Sequence, residues 1–104
     1  MRGENVMEAK ELTAAFTSAV LATFLQSAPA ARVRRAEGLL TVEEGDRLTV
    51  ILCKITPPAA VILPKAFLYR RGEEILRQAV RPVSGISSSV QAAQEILTLW
   101  RETF

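Results

Sequence analysis

The 104-residue chain contains no histidine. That removes the commonest general base near neutral pH, the serine–histidine and cysteine–histidine nucleophile pairs, and nearly all ordinary zinc sites. Its single cysteine, Cys53, has no partner for an intramolecular disulfide or a thiolate cluster. Cys53 lies inside the apolar run Leu48–Ile55, the setting of a small buried residue. A reactive thiol needs a nearby cation, and the adjacent Lys54 points to the opposite face of a strand. Glu43, Glu44 and Asp46 crowd around Gly45, which suits a polar turn; a calcium loop needs a longer series of oxygen ligands. The remaining carboxylates, lysines and serines have no spacing that demands catalysis. The expectation is a protein that is not an enzyme and holds no cofactor and no metal.

Charge offers a second kind of chemistry. Thirteen basic residues stand against eleven acidic ones, and the excess is concentrated between residues 32 and 81. Arg32, Arg34 and Arg35, with Arg70 and Arg71, form the candidate contact for a nucleic acid or another phosphate, since the guanidinium fork donates to phosphate bidentately. Stacking aromatics are scarce there: Phe67 and Tyr69 are the only two, and both fit a core. A charged sheet edge that resists aggregation accounts for the same arginines. The run Ser84–Ser89 precedes a helix and offers first-turn N–H groups to an anion. It lacks the glycine pattern and lysine of a phosphate loop, and capping by Ser88 explains it. Trp100 and Phe104 fall on an apolar helical stripe, where packing is the default. Phe104, at the fraying end, favours a partner surface because a large apolar side chain there gains only when covered.

The elements that must hold these residues follow from periodicity. Asn5 and Glu8 have capping-box spacing, and Leu12, Phe16, Ala19, Val20 and Phe24 recur at helical intervals up to Pro29. The spacing predicts a helix from about Val6 to about Ser27, with its opposite side of Ala, Ser and Thr also covered. Strand character begins at Arg32 and runs to Val42, before the turn at Glu43–Asp46. In the next run Leu48, Val50 and Leu52 line one face, and Ile51, Cys53 and Ile55 the other. After Pro57-Pro58 a third strand spans Val61–Arg70, bulged or at an edge because of Pro64, with Val61, Leu63, Phe67 and Tyr69 on one face and Ile62, Ala66 and Leu68 on the other. Glu73–Arg81 fits a short helix or a hairpin return, and the Arg71-Gly72 turn favours the strand. Ser88 and Gln91 open a last helix, striped by Val90, Ala93, Leu97, Trp100 and Phe104. The order α-β-β-β-(β)-α predicts one α+β domain over 1-104, a two-layer sandwich with an antiparallel sheet and both helices on one face.

Leu12–Ala31 carries no charge, yet Glu4, Glu8 and Glu11 precede it, and hydroxyl residues dilute it below a membrane span. The expectation is therefore a cytoplasmic protein without a membrane anchor. Two helices cover one side of a sheet, while the strands carry apolar residues on both. The uncovered side calls for a partner, and a two-fold dimer supplies one without added residues. A non-enzymatic protein-interaction module that self-associates, or a small subunit of a larger assembly, is the leading expectation. Its interface candidates are Leu52, Leu68, Trp100 and Phe104. An RNA- or DNA-binding protein using the arginine patch is the alternative.

Overall fold

The computed structural model describes residues 8–54 and 60–104. Two helices, α1 (Ala9–Ser27) and α2 (Ile86–Thr103), bracket five strands: β1 (Arg32–Ala36), β2 (Leu39–Glu44), β3 (Arg47–Leu52), β4 (Lys65–Arg70) and β5 (Glu73–Ala79). The strands form one antiparallel meander in sequence order. Both helices pack on the same face, giving the α+β sandwich expected. Phe24 meets Trp100 edge-on at 5.5 Å, and Arg101 donates to the Ser27 carbonyl at 3.3 Å, so the C-terminal ends of the helices lie together.

Leu12, Phe16, Val20 and Phe24, each one turn from the next, are fully buried along α1. Burial of such a side chain contributes about 1.5–3 kcal/mol relative to exposure. The helix is capped by Glu8, whose N–H is accepted by the Glu11 carboxylate at 3.2 Å. The expected cap at Asn5 lies outside the described residues. The Thr13 and Thr17 hydroxyls donate to carbonyls one turn back, which satisfies them within the helix. Contrary to expectation, the small-residue side is not covered: Ala14, Ser18 and Ala22 are exposed.

The segment Arg32–Val42, expected as part of one strand, folds back on itself. Glu37-Gly38 forms a two-residue turn between Ala36 and Leu39, with Gly38 at φ 69°. The Cys53 carbonyl lies 3.4 Å from where a Gly38 side chain would begin, so a Cβ there would be in ordinary contact with it. Arg71 and Gly72 both take positive φ, the geometry of a primed hairpin turn, and 73–79 returns as a strand. Pro64 neither bulges β4 nor places it at an edge. It precedes the strand and accepts from the Val80 N–H at 3.1 Å, while β4 pairs on both sides. The register shift comes instead between Leu68 and Tyr69, opposite Ile75.

The last helix starts earlier than expected. Gly85 is its N-cap, and Ser88 works from inside the first turn, accepting from the Ser84 and Gly85 N–H groups at 2.9 and 3.0 Å. Its buried stripe is Ala92, Ala93, Ile96, Leu97 and Trp100, and Val90 turns outward. Among the described residues no helix is long and apolar enough to cross a membrane.

Candidate interaction surface

Strand alternation divides the sheet's side chains between two environments. Leu40, Val42, Thr49, Ile51, Ala66 and Leu68 face the helices and are buried. Their neighbours face outward, where no element of the described chain covers them. Cross-strand pairing sets Leu39 opposite Leu52, Val50 opposite Phe67 and Leu48 opposite Tyr69 on this outer face. The group is contiguous, and all but Leu52 are only half-buried by their neighbours. Leu52 is 38 % exposed. Val61 and Leu63, preceding β4 with the same alternation, are 42 and 56 % exposed. Leu39 joins the surface only because of the hairpin at Gly38, and so the sequence reading missed it.

A polar rim surrounds this apolar centre. One row across the strands runs Arg32, Glu43, Leu48, Tyr69, Glu74. The next runs Arg34, Thr41, Val50, Phe67, Arg77, and the Arg77 guanidinium sits 5.1 Å from the Phe67 ring centre while pairing with Glu74 at 3.2 Å.

Of the four expected interface residues, only Leu52 lies on this face. Leu68 is fully buried beneath the helices, because it has the opposite parity to Phe67 and Tyr69. Trp100 is likewise core, packed edge-on against Phe24. Phe104 is covered by the chain itself: the Arg47 and Arg70 guanidinium groups lie 5.8 and 5.5 Å from its ring centre, and Trp100 packs edge-on at 6.5 Å.

The five arginines do not form one patch. β1 and β4 are separated by two strands, about 14 Å at the usual strand spacing. Arg32 and Arg34 face outward, Arg35 and Arg70 lie on the helix side, and Arg71 is bound to Asp46 at 3.1 Å.

Cys53 follows β3, donating its N–H to the Gly38 carbonyl at 2.9 Å, and is 4 % exposed. Burial pushes its thiol up from 9.0 to about 11. No group of three or more potential metal-ligating residues occurs among the described residues. Elsewhere, a groove of about 430 Å³ runs between the end of β5 and the outward flank of α2. Gln78, Gln91, Gln94, Glu95 and Thr98 line it. Compared with protein-family models, curated proteins and solved structures, the chain matches none of them.

Proposed function

We propose that this protein is a non-enzymatic interaction module that self-associates through the outer face of its sheet. The observation that carries the reading is the contiguous apolar set Leu39, Leu48, Val50, Leu52, Phe67 and Tyr69 on the side opposite both helices. Six-residue strands rise about 20 Å and five strands span about 20 Å, so the whole face measures on the order of 400 Å², of which the apolar set on β2–β4 takes about 200–250 Å². A contiguous apolar area of a few hundred Å² is at the scale where surface patches begin to mark interaction sites. Two whole faces, polar rims included, approach the roughly 1,000 Å² of a small specific interface.

Row placement brings the apolar centre of a second copy into register with this one. A two-fold axis parallel to the strands reverses each row in the partner. Arg32 then meets Glu74 of the second copy, Glu43 meets Tyr69, and Leu48 meets Leu48. The adjacent row brings Arg34 toward Arg77, so the Glu74 carboxylate is shared between Arg77 of its own chain and Arg32 of the other. A cytoplasmic setting accords with this reading, since a lone buried thiol needs no oxidising compartment. Phosphate binding has less support, because the arginines point in different directions and two of them are engaged.

Sedimentation tests the proposal. The wild type is expected at twice the chain mass at micromolar concentration. Leu52→Glu, at an exposed position, is expected to sediment as a folded monomer. A monomeric wild type at high concentration overturns self-association.

A further inference from the structure

We propose that the free edge of β5, beside α2, accepts a short, uncharged, extended peptide segment of a partner protein as a sixth strand. This site is separate from the outer face. The Val80 N–H donates to the Pro64 carbonyl at 3.1 Å. In an antiparallel ladder the peptide groups of alternate residues point to the same side. Gln78 therefore turns its N–H and C=O toward β4, and Arg77 and Ala79 turn theirs away. β5 ends the sheet, so among the described residues those groups meet no further strand.

The groove gives the added strand a second wall. Gln91, Gln94 and Thr98 recur along one flank of α2, and Gln78 faces them from β5. Primary amides both donate and accept, as a peptide backbone does. The charges in the groove are already matched: Arg81 pairs with Glu95 at 2.8 Å and also donates to Gln91. An incoming charged side chain would compete with that pair, whereas an uncharged one would not. Main-chain pairing along an exposed edge, with alternate side chains entering a pocket, is an established mode of peptide recognition.

The length of the ligand follows from the irregularity in β5. Leu68 pairs with Leu76 and Tyr69 with Glu74, which leaves Ile75 unpaired and inverts the face alternation there. The longest unbroken stretch of pairing in β5 is thus Leu76–Ala79, with only Glu73 and Glu74 paired beyond the bulge. Four residues make too short a seam for two whole copies of the protein, but they suit a peptide that also fills the groove.

The probe is a capped hexapeptide of alternating threonine and valine, titrated into the isotopically labelled full chain and followed by amide resonances and hydrogen exchange. Shifts are expected at 76–81 and 91–98, with exchange at Ala79 slowed at least tenfold at saturation. Ala79→Pro removes an N–H that faces away from β4. It is expected to keep the β4–β5 ladder and to weaken binding at least tenfold. Thr98→Trp fills the groove without altering the edge and is expected to weaken binding similarly. The proposal is overturned by absence of shifts at millimolar peptide, by shifts on the outer face instead, or by unchanged binding in both variants. Protection of Ala79 that grows with protein concentration without peptide also overturns it, since a second copy would then be the occupant.

Discussion

Cys53 and Thr49 are two buried polar groups whose surroundings have measurable consequences. Because burial raises the Cys53 thiol to about 11, the thiolate is scarce at pH 8. Native protein is expected to react slowly with a thiol reagent, and unfolded protein quickly; fast native labelling would show that the site opens. The same shift links stability to pH. The unfolded thiol loses its proton near 9.0, while the folded one keeps it until about 11. Between those values the folded state binds more protons, so stability falls as pH rises, by up to about 2–3 kcal/mol. Denaturation of Cys53→Ala across that window should lack this component, and identical slopes in the two proteins would refute it. Thr49 is fully buried between Val42 and Leu68, and its hydroxyl meets no hydrogen-bonding group of the described protein. Thr49→Val keeps the shape and removes the unpaired group, so a gain of about 1 kcal/mol is expected in denaturant unfolding.

At the scale of elements, the turns decided how far periodicity could be followed. The face assignments in β3 and β4 were legible because alternation survives in Leu48–Cys53 and Ala66–Tyr69. The β1–β2 hairpin was not, because Arg32-Val33-Arg34 and Leu40–Val42 look continuous unless Glu37-Gly38 is taken as a reversal. Gly38→Ala tests that reversal directly. A side chain there must hold φ near 69° and approach the Cys53 carbonyl, so a loss of about 1–2 kcal/mol in thermal or denaturant unfolding is expected. A neutral result would mean the turn relaxes to another form. Pro64 misled in the opposite direction. A proline directly before a strand costs no ladder bond, and its carbonyl still serves β5. Helix boundaries were blurred for a different reason: Ser88 satisfies first-turn N–H groups from inside α2, so its chemistry was legible but its position was not.

For the molecule as a whole, the sequence revealed that apolar residues occupy both faces of the sheet; the fold determines which of them remain on the surface. Leu52 and Leu68 looked equivalent in the chain, yet the strand pairing sends one outward and the other beneath α1 and α2. The proposed two-fold makes a prediction at this scale. Arg32→Glu and Glu74→Arg should each weaken the dimer, by about fivefold for a rim charge pair, and the double variant should recover much of the loss. Equal dissociation constants for all four proteins, measured at low salt, would exclude this orientation while leaving Leu52→Glu as the test of dimerisation itself.

The pairing of α1 with α2 joins segments that the whole meander separates along the chain. The hairpins of the meander link neighbours in sequence and can close in order as they leave the ribosome. Leu12, Phe16, Val20 and Phe24 are made before the meander, and Ile96 and Trp100 after it. Until α2 is made, α1 therefore lacks its partner helix and presents an incompletely sealed apolar stripe, the kind of surface that holding chaperones bind. Chains stalled before α2 are expected to aggregate more readily than the finished fold.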